Sequence, residues 1–302
     1  MKILITGGSG FVGRNLSKKL VHDGHEVIIT STGNEPDIAG VSKVLYAGLN
    51  GVNYKHLSYL DAVIHLMANN DTLFQDKQEM FRINVDEPRE LFYQTRSKGC
   101  KCFIYASSTA VYGSQPAPYI ESVTPVMPLN AYGESKAAFD IFAMEFAKNF
   151  SVTVHGLRYC NIYGPGEEQK GRRMSMIGQI LRQFLQGKEP SLFEFGEQRR
   201  DWVYVEDVVQ ANIKALEKKD FGKGQIYNIG SGVSVTFNEI IQCIQEISGK
   251  SIKVNYVPCS FSEAYQTHTE CNIDLAKKEL GYNPEFSLKS GIKSYLQNLS
   301  SV

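Results

Sequence analysis

The first half of the chain alternates short apolar runs with stretches of helical period, and this rhythm predicts a parallel β-sheet joined by crossover helices. Strands are expected at 2–6, 26–30, 43–46, 62–66, 102–107 and 153–158, with helices over 13–23, 81–98 and 131–149. The run Ala62-Val63-Ile64-His65-Leu66 is nearly all apolar, as suits a strand covered on both faces. From about Tyr163 the rhythm changes. Gly164-Pro165-Gly166 opens a loop, followed by helices near 175–186, 206–218, 237–248 and 274–280, and by strands near 192–195, 200–205, 225–229 and 253–257.

No repeat, low-complexity tract or linker separates the halves. An α/β first domain over 1–162, with a returning segment near 200–219, and an interleaved, smaller α/β domain over 163–302 are therefore expected. The stretch Ala137–Ala147 carries charge only at Asp140 and Glu145, which is more apolar than a one-sided helix requires. It lies deep in one core or forms a subunit interface. The interface reading, a homodimer or higher homo-oligomer, is favoured.

Composition narrows the function classes. The 302 residues are 42% hydrophobic and 21% charged, enough to bury a substantial core. Lys plus Arg and Asp plus Glu are both 32, so no basic excess exists to follow a nucleic acid or an acidic membrane. No transmembrane-length run or leader segment is expected. The cysteines at 100, 102, 160, 243, 259 and 271 lack the spacing of a zinc site or disulfide framework. Buried thiols, no metal site and a cytoplasmic location follow as expectations.

Thr6-Gly7-Gly8-Ser9-Gly10-Phe11-Val12-Gly13 follows the first strand and opens the first helix. Glycines at 7, 10 and 13 allow a tight turn and close approach to a pyrophosphate, while the helix start offers free N–H groups. Gly7, Gly10, Phe11, Val12 and Gly13 are thus candidate dinucleotide contacts. The second strand ends Thr30-Ser31-Thr32, without the carboxylate that often holds the adenosine ribose. With Arg14 just beyond the loop and Ser31 at the strand end, the cofactor is NADP or NAD, with NADP favoured. A merely polar strand end and a solvated Arg14 are the alternative.

Tyr132 and Lys136 stand four apart in Tyr132-Gly133-Glu134-Ser135-Lys136, on one helical face. An ammonium there favours phenolate and draws the tyrosine pKa toward working pH. Ser108 could hydrogen-bond the same substrate oxygen. A tyrosine and lysine at this spacing are ordinarily surface neighbours; three features in the right order change the odds. With Thr6–Gly13, Ala62–Ala68, Tyr105–Gly113, Tyr132–Lys136, Arg158–Pro165, Arg200–Asp207 and Asn228–Gly232, the chain resembles the extended short-chain dehydrogenase/reductase family over nearly its whole length. The resemblance implies a Rossmann-type, doubly wound parallel sheet for NAD(P), with Leu66 and Ala68 at the cofactor. It also implies a smaller C-terminal domain gripping a nucleoside diphosphate sugar, and Ser108, Tyr132 and Lys136 as the catalytic triad.

Within that family, Ser107-Ser108-Thr109-Ala110-Val111-Tyr112-Gly113 looks like the epimerase pattern, since the acidic pair of sugar 4,6-dehydratases is replaced by Thr109 and Ala110. Gly166-Glu167-Glu168-Gln169-Lys170-Gly171 is similar to the nucleotide-heptose 6-epimerases, which carry a second catalytic lysine at the place of Lys170. Lys170 is then either a second acid–base group or a binding residue. Arg200 is the candidate diphosphate partner, or else an ion pair with Asp201 or Asp207. Asn161 and Tyr265 are further substrate-side candidates. Departures from the heptose pattern are Arg172-Arg173, a slightly longer stretch from Tyr265 to Gly281, and the missing acidic residue. The same-class rival is a nucleotide-hexose 4-epimerase; a non-catalytic NADP-binding scaffold is the rival from another class.

Overall fold

The computed structural model describes residues 1–33, 38–46, 51–52, 57, 59–218, 220, 222–259 and 266–300. By compactness the chain divides into two units. The first comprises Met1–Gly113, Val126–Arg158 and Val209–Tyr227; the second comprises Ser114–Pro125, Tyr159–Val208 and Asn228–Val302.

The strands of the main sheet are β1 (Lys2–Thr6), β2 (Glu26–Ser31), β3 (Lys43–Tyr46), β4 (Ala62–His65), β5 (Cys102–Ser108), β6 (Thr153–Tyr159) and β10 (Gly224–Ile229). Among the described residues they run in the order β10-β6-β5-β4-β1-β2-β3. The pairs β1–β2, β1–β4, β2–β3 and β4–β5 are parallel. Strand order reverses beside β1, so the carboxyl ends of β1 and β4 form the crevice where doubly wound sheets bind ligands. The Rossmann-type expectation holds. β4 is buried along its whole length, as its nearly all-apolar sequence suits; β6 is equally buried although it carries Thr153, His155 and Arg158.

Helices α1 (Phe11–His22), α3 (Glu87–Ser97), α4 (Ala131–Phe150) and α6 (Val205–Glu217) accompany this sheet in sequence. The helix expected over 81–98 is instead three pieces: α2 (Lys77–Phe81), a π-helical turn at Arg82–Asp86, and α3. On α4, Phe139, Ala143, Phe146 and Ala147 are buried in a cluster with Phe92, Phe103 and Tyr105. Its other side leaves Ile141 65% exposed. The apolar composition of α4 therefore serves a core on one side and a surface on the other.

The second unit has a small four-stranded sheet in which β9 (Arg199–Tyr204) pairs with β11 (Ser234–Thr236), β13 (His268–Thr269) and β7 (Asn161–Tyr163). A parallel pair joins β8 (Ser191–Phe193) to β12 (Asn255–Val257). Helices α5 (Met176–Leu185), α7 (Phe237–Ser248) and α9 (Leu288–Ser300) contribute Ile177, Ile180, Ile240, Ile244, Ile292 and Tyr295 to its core, and α8 (Asp274–Leu280) completes the described helices. A capping box between Thr236 and Glu239 fixes the start of α7, satisfying two otherwise unpaired N–H donors. No helix among the described residues is long and apolar enough to cross a membrane.

Candidate active site

The glycine loop joins β1 to α1 as the sequence requires. A Cβ on Gly13 would collide with the Gly7 carbonyl oxygen, so only glycine lets the helix pack this close to the loop. Gly10 is different. A Cβ there would press on Gly7 O at 3.2 Å and meet nothing else within 4 Å. No side chain caps that start. Uncapped amides over an open glycine suit a pyrophosphate.

The half-buried Arg14 adds a guanidinium whose buried Nε has no hydrogen-bond partner. Thr30 is committed to the loop, its hydroxyl accepting from Gly7 N at 3.0 Å. Ser31 is buried and accepts from Gly33 N at 3.3 Å. Leu66 and Ala68 lie half-buried just beyond β4, with Leu66 N bonded to Thr6 O at 3.1 Å. These residues fit a dinucleotide.

Ser108, Tyr132 and Lys136 come together at the carboxyl end of β5 and the start of α4. Ser108 ends β5 and accepts from Ala110 N at 3.1 Å; its hydroxyl also bonds the Tyr132 phenol. Asn130 caps α4 by accepting from Gly133 N at 2.9 Å. A Cβ on Gly133 would lie 2.7 Å from Ala110 O, so glycine lets α4 begin against the turn that follows Ser108. Lys136 is 4% exposed, with Nζ donating to Ala106 O at 2.9 Å and lying 5.9 Å from the centre of the Tyr132 ring.

The protonation states depart from the sequence expectation. Burial pushes the Tyr132 phenol up, opposed by the Ser108 bond. Burial also lowers Lys136 to about 8, opposed by the charge of Asp140. In the protein alone, Lys136 is thus the group brought near working pH. Its proton is committed to a carbonyl rather than to the phenol.

Residues that sequence reasoning missed hold this cluster in place. Asn84, in the π turn, is buried, and its amide donates to Ser135 Oγ at 3.0 Å and to Asn69 O at 2.8 Å. Its oxygen accepts from Asn69 N at 2.8 Å, while Ser135 Oγ donates to Tyr132 O at 2.7 Å. One side chain therefore links the loop after β4 to the first turn of α4. His65 pairs with Thr6 Oγ1 at 2.7 Å, and burial pulls its pKa down to about 3, so it is neutral. Asp140 accepts from Arg158 Nε at 2.9 Å and from Tyr105 Oη at 2.9 Å, while Arg158 Nη1 donates to Tyr112 Oη at 2.8 Å. The one signal in the sequence was Asp140, one of two charges on the apolar stretch Ala137–Ala147.

The remaining candidates belong to the second unit. Asn161 donates to Asp201 O at 3.2 Å and to Thr269 Oγ1 at 3.3 Å, bracing β7 against β9 and β13. Arg200 is buried on β9, donating to Arg199 O at 2.8 Å, with Cζ 6.0 Å from the Phe237 ring. Asp201 accepts from Ser231 N and Ser231 Oγ, both at 2.7 Å. Asp207 accepts from Glu285 N at 2.7 Å and Phe286 N at 3.2 Å. Both aspartates thus have structural work of their own. Tyr265 lies outside the described residues.

Lys170 sits in a 3-10 turn, Glu168–Arg173, with its N–H on Glu167 O at 2.9 Å. It is half-buried, and burial lowers its pKa; Glu167 opposes the shift and Arg173 adds to it. Glu167 is fully buried and accepts from Ser175 Oγ at 2.8 Å and Gly164 N at 3.3 Å.

Residues 3–230 match the model of the NAD dependent epimerase/dehydratase family. The chain is 32% identical to an ADP-L-glycero-D-manno-heptose-6-epimerase of Alkalilimnicola ehrlichii, covering 99% of this chain and 98% of that protein. The crystal structure of the ADP-L-glycero-D-manno-heptose-6-epimerase of Helicobacter pylori superposes with a TM-score of 0.88 at 35% identity, over 100% of this chain and 96% of that one. MoeE5 in complex with UDP-glucuronic acid and NAD superposes with a TM-score of 0.90 at 27% identity, over 100% of both chains.

Proposed function

The chain belongs to the NAD dependent epimerase/dehydratase family, and from that premise we propose how it acts as an NAD-dependent nucleotide-sugar epimerase and on which sugar. We assign it a nucleotide-linked heptose inverted at carbon 6. Full-length identity to heptose 6-epimerases supports this reading. The observation that carries it is Lys170, half-buried with a lowered pKa on the segment that resembles those enzymes.

Epimerisation by this route oxidises a carbinol to a ketone and reduces it again from the opposite face. A dinucleotide held in this site would supply the hydride chemistry. Gly10, Phe11, Val12, Gly13, Leu66 and Ala68 hold it, and Arg14 and Ser31 select NADP, a preference supported by the strand end without a carboxylate. Ser108 positions the sugar oxygen and Tyr132 exchanges its proton; cofactor charge would bring the phenol down from its raised value. Lys136 anchors the site through Ala106 O. A ketone presented in two orientations needs a proton donor for each. Tyr132 serves one and Lys170 the other, while Arg200, Asn161 and Tyr265 hold the nucleoside diphosphate sugar. The first unit carries the cofactor and the second the substrate. The exposed side of α4, with Ile141, is the homo-oligomer contact, and the enzyme works in the cytoplasm.

Incubation with ADP-, GDP- and UDP-linked sugars, followed by NMR, tests the assignment. Inversion at carbon 6 of an ADP-linked heptose is expected. Inversion at carbon 4 of a UDP-hexose, with Lys170→Ala raising KM and sparing kcat, would establish the rival 4-epimerase. Bound cofactor without turnover on any sugar would leave a scaffold.

A further inference from the structure

Apart from the acid–base groups, three buried side chains of the second unit converge. The sulfurs of Cys160 and Cys271 lie 2.6 Å apart, although the residues are 111 positions apart in sequence. Both reach the Asp201 carboxylate, the ligand atoms of all three lying within 4.8 Å of one another. The backbone holds both cysteines in register. Cys160 N donates to Ile229 O at 2.9 Å, and Cys271 N donates to Asp201 Oδ2 at 3.2 Å. Tyr119 bridges the chain beside Cys271, with Tyr119 N on Glu270 O at 2.8 Å and Asn272 N on Tyr119 O at 2.9 Å.

A metal ion fits this geometry poorly. Two thiolates on one tetrahedral zinc, each about 2.3 Å from the ion, stand roughly 3.8 Å apart. Asp201 is already engaged by Ser231 N, Ser231 Oγ, Gly232 N and Cys271 N. Bond formation between the sulfurs, at about 2.05 Å, needs only a small approach.

We propose that Cys160 and Cys271 are a reversible redox pair, closed to an intrachain disulfide by a peroxide and reopened by a dithiol. Hydrogen peroxide first oxidises one sulfur to a sulfenic acid and releases water. The second thiol loses its proton and attacks that sulfur. The S–S bond forms and a second water leaves, so two thiols and one peroxide give one disulfide and two waters. Burial raises the Cys160 thiol well above its ordinary value, so closure is slow. Such transient disulfides suit a reducing compartment. The bond would lie beside Asp201 of β9 and tie together the segments that the Asn161–Thr269 hydrogen bond already joins. This pairing does not depend on which sugar is bound.

The full chain, treated with hydrogen peroxide, then alkylated and mapped without reduction, tests the pair. Loss of two of the six thiols, a linked Cys160–Cys271 peptide, its reversal by dithiothreitol and a raised Tm of the oxidised protein are expected. Cys271→Ser should abolish the linked peptide, and Cys160→Ala serves if that variant fails to fold. Both thiols still alkylatable while Cys259 is oxidised, a link between other cysteines, or a stoichiometric bound metal that shields the pair would each overturn it.

Discussion

Two lysines with pKa values lowered by burial sit in different kinds of structure, and the two proposed roles, anchoring and proton exchange, divide between them. Lys136 is on a 20-residue helix with a side-chain N-cap, fixed to a carbonyl in a cluster braced by Asn84 and Ser135. Lys170 is on a short 3-10 turn broken by Gly171 at φ 56°, its pKa lowered by burial and by Arg173 against the opposing charge of Glu167. The first lysine is held in place.

The largest effect that sharpens this contrast is expected from Tyr132→Phe. It should lower kcat by about 10²–10⁴-fold with KM within a few-fold, measured by steady-state kinetics. Lys170→Met should lower kcat by about 10²-fold. A rise in KM alone would make Lys170 a binding residue and end the parallel with Tyr132.

Structural props should behave differently. His65 is held neutral with a pKa of about 3 against an ordinary 6.5, so the unfolded chain takes up its proton first. Its contribution to stability is complete above pH 6.5. It is lost at about 1.4 kcal/mol per pH unit as pH falls toward 3, to be read by urea unfolding across that range. Asn84→Ala leaves Ser135 Oγ and Asn69 unpartnered by that amide and should cost about 1–3 kcal/mol while lowering kcat. Smallest is Arg14→Ala, expected to weaken NADP binding by a few-fold, roughly 0.5–1 kcal/mol, and to leave NAD affinity unchanged in titration calorimetry.

Legibility in the sequence followed the range of the interactions. β1 and α7 fall where the apolar pattern puts them, because a buried strand and a capped helix write their period into consecutive residues; β3 does so too although Val44 and Leu45 are only half-buried. β7, β11 and β13 span only two or three residues, too few for any period to register. α9 also escaped, with Gly291 interrupting its helical pattern; a Cβ there would collide with the Tyr163 hydroxyl. The π turn at Arg82–Asp86 contains neither Pro nor Gly; the local mark of the break in the helix expected over 81–98 is Pro88, in the first turn of α3. In the site, Ser108, Tyr132 and Lys136 were readable as a motif. Asn84 and His65 were not, because their partners lie 51 and 59 residues away. The Cys160–Cys271 contact was invisible for the same reason, and spacing rules for cysteine cannot find a pair brought together only by the fold.

The division of labour between Tyr132 and Lys170 is tested most directly by single-turnover oxidation of each substrate epimer separately, read as the absorbance of the reduced cofactor. Lys170→Met should oxidise one epimer at close to the wild-type rate and the other hardly at all, and Tyr132→Phe should show the reverse preference. Equal loss on both epimers in Tyr132→Phe, with both retained in Lys170→Met, would leave a single acid–base group and contradict the two-group mechanism.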